Sequence, residues 1–415
     1  MSFQKQKLKF LFNIKNGATP KSDDHDYWNG NILWVTPADY TTEQCYIVES
    51  KRYITETGLN SCGTNLVPAG SVVVSNRAPI GLVGIAVKPL CTSQGCKCLV
   101  KKNNTINEKY VYYYLTTQDK ILNILGRGTT FFELSSFDLA NFKIPIPKDD
   151  EQTSIVAYLD QCTADFDELL DDLQSQAEKL DHYKRELIVE LVTHGLDKTL
   201  SRKDSGVDWI GKIPIEWTII PLRAIIKNNT EKNEQMQCKN LLSLSYGKII
   251  PKDIDTNFGL LPESFEGYQI VQPGYTVLRL TDLQNDKRSL RTGYVTEIGI
   301  ITSAYTGLIP SADLDSKYFY YLLHTYDLKK IYYGLGGGIR QSLKYSDLIT
   351  LPILIPPMSV QKSIVAYIDK KTAQVDSLIA DINKQIEKIK KYRQIIIHDA
   401  VTGKIKVTKE RENGN

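Results

Sequence analysis

The side chains best suited by type and spacing to do chemistry are Asp39 followed by the triplet Glu49-Ser50-Lys51. Two carboxylates and a lysine are what a metal-dependent nuclease uses to hold magnesium and activate water. With 24% of the chain charged, one such match is expected by chance. A second cluster, Cys91, Cys96 and Cys98 in CTSQGCKC, has no histidine nearby to complete a zinc site, so buried structural thiols are the preferred reading. Seven cysteines, an odd number over a long chain, argue against a disulfide framework and for a reducing compartment. The glycine-rich stretches GRGTTFFELS (126–135) and GLGGGIRQSLKYS (334–346) could approach phosphate closely, because no Cβ intervenes. Their spacing matches neither phosphate-loop pattern, which argues against nucleotide binding and leaves a connector and a phosphate-contacting loop both open. No methyl-transfer motif, HExxH or GxSxG is present, so no catalytic, cofactor-binding or metal-binding residue is assigned.

What must position any functional side chain is more informative. QTSIVAYLDQCTAD begins at Gln152 and QKSIVAYIDKKTAQ at Gln361, an offset of 209. Extended to Thr193 without a gap, close to half of the aligned positions are identical. Each copy follows a proline signal, IPIPKDDEQ or LPILIPPMSVQ, and neither meets Pro or Gly again before Gly195 or Gly403. Proline is tolerated at a helix start and not inside, so each copy predicts one long helix, about 60 Å if unbroken.

Phe166, Leu170, Leu173, Ala177, Leu180, Leu187 and Leu191 recur at alternating steps of four and three, and Val375, Ile379, Ile382, Ile386, Ile389, Ile396 and Ala400 match them. Lys184 and Arg393 interrupt the two stripes at equivalent places. A seam of period 3.5 on both helices predicts that they pair as a coiled coil. Residues 151–199 carry 4 Lys/Arg against 12 Asp/Glu and residues 358–415 carry 12 against 7, so the helices are complementary in charge. An antiparallel pair is favoured by topology.

The remaining sequence holds short β-branched and aromatic runs bounded by Gly, Pro and Asn. Each globular region also has an aromatic helical stretch near its end, NEKYVYYYLTTQDKILNIL or DSKYFYYLLHTYDLKKIYY. The expected fold is α+β, with two similar α/β domains separated by a long antiparallel two-helix coiled coil and an internal pseudo-two-fold repeat. The expected boundaries are 1–147 and 200–356 for the domains, 148–199 and 357–405 for the helices, and 406–415 for a disordered tail. No run of about 18 uncharged apolar residues occurs, and the opening MSFQKQKLKFLF does not read as a secretion signal, which points to a cytoplasmic protein.

The two P-x-x-x-x-x-Q-x-S-I-V-A-Y-[LI]-D-x-x-T blocks, the helix ends LVTHG and AVTGK, SGVDWIGKIPIEW, VSNRAPIG and TSQGCK together resemble the specificity subunit of a type I restriction-modification system, nearly end to end. The resemblance implies a non-catalytic reader of double-stranded DNA. Each domain would read one half of a split site, and the helices would set the gap and dock two methyltransferase subunits, with restriction-translocase subunits joined through those. S-adenosylmethionine, ATP and magnesium would belong to the partners. Candidate DNA-contacting residues are Lys21, Asn76, Arg77, Gln94, Lys97, Arg127 and Thr129 in the first domain. In the second they are Tyr246, Lys248, Arg279, Gln284, Lys287, Arg288, Arg291, Arg340 and Gln341. Asn76-Arg77 and Gln94 sit in segments resembling family framework, where bracing of the domain is the alternative role. The alternative function is a non-catalytic coiled-coil adaptor with two protein-binding modules.

Overall fold

The computed structural model describes residues 3–41, 43–127, 132–254, 264–283, 289–335 and 342–407. They divide into two compact units, residues 1–174 with 384–415, and residues 175–383. Each unit therefore takes one globular region and part of each long helix. No described helix is long and apolar enough to cross a membrane.

In the first unit a five-stranded sheet has the order Phe12–Asn16, Cys96–Lys101, Val72–Ser75, Val83–Ala86, Tyr46–Ile47. All neighbours are antiparallel except the last pair. Successive side chains of a strand point to opposite faces. Val72 and Val74 thus enter one core with Phe12, Leu99 and Tyr110, while Val73 enters another with Leu33, Cys96 and Cys98. Both faces are covered, which is why this strand is apolar without alternation. A three-stranded sheet, Arg52–Ile54, Trp28–Val35, Leu90–Thr92, stands beside it.

The second unit repeats the plan. Its sheet order is Ile226–Asn228, Tyr305–Pro310, Thr276–Arg279, Thr292–Tyr294, with Val277 and Leu278 facing different cores. The strands starting at Val83, Leu90 and Cys96 reappear, at the offset of 209, as those starting at Thr292, Gly299 and Tyr305. A second four-stranded sheet runs Lys248–Lys252, Leu241–Ser245, Gly299–Ile301, Gln269–Val271.

Four helices join the sheets into this frame: α1 (Glu108–Thr116), α2 (Asp149–His194), α3 (Ser316–Leu328) and α4 (Met358–Val401). α2 and α4 stop short of the expected 199 and 405. The cause is Gly195 (φ +78°) and Gly403 (φ +72°), which take the left-handed conformation that closes a helix. Val407 is the last described residue, so the rest of the expected tail lies outside the described residues.

The shared letters of the repeated phrase anchor each long helix to its own globular region. The buried Gln152 accepts from the Asn107 backbone N–H (2.8 Å) and donates to the Pro147 carbonyl (3.1 Å); Gln361 does the same with Asp315 (2.9 Å) and Pro356 (2.9 Å). Asp160 takes Lys109 Nζ at 2.7 Å and the Tyr113 hydroxyl at 2.6 Å, and Asp369 takes Lys317 Nζ at 2.7 Å and the Tyr321 hydroxyl at 2.5 Å. The Tyr110 hydroxyl spans the carbonyls of Pro145 (3.0 Å) and Val401 (2.8 Å), and Tyr318 spans Leu354 and Val192, both at 3.3 Å. Each domain therefore holds the beginning of one long helix and the end of the other.

Those contacts make the helix pairing antiparallel inside each unit. In the first, Phe166 meets Tyr392 edge-on at 6.0 Å and Arg393 lies 3.3 Å from the Asp167 carboxylate. In the second, Lys184 Nζ lies 2.7 Å from Asp376. The two residues that interrupt the apolar stripes thus each form an ion pair across the helices.

Candidate nucleic-acid interface

In the first unit the candidates gather around one acid. Glu133 accepts from the Asn76 side chain (2.7 Å) and Arg77 Nε (3.0 Å), and Lys97 Nζ stands 3.7 Å away. Two backbone bonds of 3.0 Å pair Glu133 with Arg127, whose guanidinium reaches toward Asp138 at 3.7 Å while its side chain is 80% exposed. Lys97 also donates to the Asn16 side chain at 3.2 Å. Burial pushes its ammonium pKa down and Glu133 pulls it part of the way back.

This geometry corrects two of the surface assignments. Asn76 is 0% exposed and Lys97 6%, and the Asn76 amide nitrogen and the Lys97 ammonium are spent inside the domain, so both residues are framework. Arg77 is half-buried, whereas Lys21, Gln94 and Arg127 are exposed. Gln94 accepts a hydrogen bond from the Thr19 hydroxyl, which fixes the 17–21 loop over Ser93–Gln94. Gly17 is required there, because an added Cβ would lie 2.1 Å from the Ser93 carbonyl oxygen.

In the second unit Tyr246 and Lys248 lie at and beside the tip of the hairpin joining Leu241–Ser245 to Lys248–Lys252. Tyr246 (φ +47°) and Gly247 (φ +79°) form a two-residue turn of the primed kind, and Tyr246 is 80% exposed. Such a ribbon, with an aromatic at its tip, has the dimensions to enter a DNA groove. Arg279 is half-buried at its strand end. Arg291 requires a second correction. It is 0% exposed, and its guanidinium donates to the carbonyls of Thr281 (2.7 Å) and Asp282 (3.1 Å), bracing the backbone. Thr129, Gln284, Lys287, Arg288, Arg340 and Gln341 lie outside the described residues.

The seam residues Phe166, Leu170, Leu173, Ile389 and Ile396 of the first unit are buried or half-buried, as are Leu180, Leu187, Val375, Ile379 and Ile382 of the second. Asp39 is committed to local structure. It accepts from the Thr36 amide and hydroxyl, both at 2.7 Å, and from the Lys51 amide at 2.8 Å. Burial pushes the thiols of Cys91 and Cys96 up to about 12 and that of Cys98 up to about 11. Among the described residues no group of three or more His, Cys, Asp or Glu is arranged to hold a metal ion. Reading by residue type passed over Arg52, Trp28 and Trp34, which lie far apart in sequence and meet through strand pairing.

The family model for the type I restriction modification DNA specificity domain matches residues 2–179 and 292–388. The specificity subunit of the type I restriction enzyme MjaIX from Methanocaldococcus jannaschii is 28% identical over 424 residues, covering 97% of this chain and 93% of that protein. The Escherichia coli EcoR124I/EcoR124II specificity subunit is 30% identical over 152 residues, covering 35% and 37%. A solved chain from a study of assembly and conformational transition of the type I system superposes with a TM-score of 0.71 at 15% identity, covering 97% of this chain and 98% of that one. The HsdS subunit from Thermoanaerobacter tengcongensis gives 0.52 at 16%, covering 97% of each. The chain belongs to the family of type I restriction-modification specificity subunits.

Proposed function

We propose that each globular domain reads one half of a bipartite DNA site, and that the chain does no chemistry of its own. The paired helices set the distance between the half-sites and dock two methyltransferase subunits, through which restriction-translocase subunits join. S-adenosylmethionine, ATP and magnesium are held by those cytoplasmic partners. One observation carries this reading. One four-strand frame is built twice on matching anchor bonds, yet the exposed side chains differ, with Lys21, Gln94 and Arg127 on one copy and Tyr246 and Lys248 on the other. Equal frames with unequal surfaces suit two different half-sites. The near-neutral balance of +3 leaves part of the phosphate neutralisation to the partners.

Exchanging residues 1–147 for those of a relative and sequencing methylated genomic sites tests the assignment. One half-site should change and the other persist; a change in both, or in neither, rejects it.

A further inference from the structure

We propose that Arg52 is a specificity-determining residue of the first domain, reading a guanine in its half-site; this rests on the DNA-reading function proposed above. The first domain has three arginines, Arg52, Arg77 and Arg127. Arg77 is bonded to Glu133, and Arg127 faces Asp138. Among the described residues no acidic side chain pairs with Arg52, which is exposed.

Its guanidinium is nevertheless held. Arg52 stands directly opposite Trp34 in the antiparallel pairing of Arg52–Ile54 with Trp28–Val35, and a bulge between Trp28 and Ile32 brings Trp28 alongside. The Arg52 guanidinium carbon lies 3.4 Å from the centroid of the Trp28 ring and 5.5 Å from that of Trp34. The two indoles are buried and meet edge to face at 5.1 Å. Both indole N–H groups are used, Trp28 donating to the Lys21 carbonyl and Trp34 to the Ala18 carbonyl, each at 2.9 Å. The platform cannot turn without breaking those bonds.

Stacking occupies the face of a guanidinium and leaves its edge, where all five N–H donors lie. A fork immobilised in this way has already lost the rotamer freedom that an extended arginine would lose on binding. Its edge matches the paired acceptors O6 and N7 of guanine in the major groove. The same indoles hold the 18–21 backbone, so the exposed Lys21 belongs to the same patch, where its ammonium suits a phosphate. Cationic edge, rigid aromatic support and absence of a carboxylate together distinguish Arg52 from an arginine engaged in structural pairing.

The test uses the chain assembled with its methyltransferase subunits and duplexes carrying the motif methylated in the host, together with a set changed at one base pair each. Arg52→Ala should weaken binding to the native duplex by between about 5-fold and about 150-fold and make one guanine position of one half-site indifferent, with the other half-site read as before. Arg52→Lys keeps a cation on the indole without the planar fork, and it should lose discrimination at the same position. Uniform weakening over all duplexes, with a salt slope lower by about one, would mean a phosphate contact and overturn the proposal. Unchanged discrimination in Arg52→Lys would overturn it too, and this variant decides if Arg52→Ala does not fold. A wild-type complex without preference for any duplex would overturn the DNA-reading function and, with it, this inference.

Discussion

At the residue scale the anchoring carboxylates have a measurable role. Asp160 holds an ammonium and a phenol at once, and its loss leaves Lys109 and Tyr113 without their shared acceptor. Charge-assisted hydrogen bonds of this kind contribute about 1.5–3 kcal/mol, and the ammonium and carboxylate are partly exposed although Tyr113 is buried, so Asp160→Ala should cost roughly 2 kcal/mol in urea unfolding. Asp369→Ala should show a similar loss in the second unit. A different balance operates in that unit's interior. Burial raises the Asp327 carboxyl to about 6, only partly offset by bonds from the Arg291 and Thr292 amides. Burial, with Arg185 and Lys184 adding to it, lowers His324 to about 4. The folded state favours the protonated acid, so the Asp327 contribution fades as pH rises from about 4 to about 6. It also favours the neutral imidazole, so the His324 contribution fades as pH falls from about 6.5 to about 4. The two slopes oppose each other. Urea titrations of Asp327→Asn should expose the loss toward acid, and those of His324→Phe the loss toward neutrality, each on the order of 2 kcal/mol.

At the element scale, the long helices were the most legible part of the sequence, because prolines and glycines punctuate them and the 3.5-residue stripe persists between. The function of Lys184 and Arg393 was not legible. A stripe shows that a charge interrupts it, whereas the acid opposite depends on which helix faces it and in which direction. Both pairs have exposed acids, with Asp376 at 53% and Asp167 at 55%, so each pair contributes little stability. Completing the seam with Lys184→Leu and Arg393→Leu together should leave the thermal midpoint unchanged or higher, while the single well-defined pairing is lost. Heterogeneity in crosslinking between cysteines placed along α2 and α4 would reveal that loss. Sheet partners were equally hidden, since strand order depends on residues far apart in sequence. Arg52 was missed for that reason. Asp160 and Asp369, by contrast, had left a trace, because the lysines and tyrosines they bind recur at matching positions in EKYVYYY and SKYFYYL.

At the scale of the whole molecule, an added helical repeat in α2 near Ser175, with its match in α4, should lengthen the gap between half-sites and leave the bases read unchanged. Sequencing the methylated sites of such a variant measures both outcomes at once. Asn76, Lys97 and Arg291 show why surface roles are harder to read than architecture. A polar residue in a turn-like segment looks the same in sequence whether it faces solvent or braces a loop, and only its burial separates the two.

The clasp of Tyr110 on the Val401 carbonyl also governs how the protein is made. Ile397, Ala400 and Val401 belong to the core that contains Leu8, Val72 and Tyr110. The domain that leaves the ribosome first therefore waits for α4, while the second domain closes on α2 residues already synthesised. A nascent chain must carry an unfinished first core through most of translation, exposed to chaperones and proteases. A stop codon at Ile395 should leave the second domain protease-resistant and the first one degraded, in a pulse-chase with limited proteolysis.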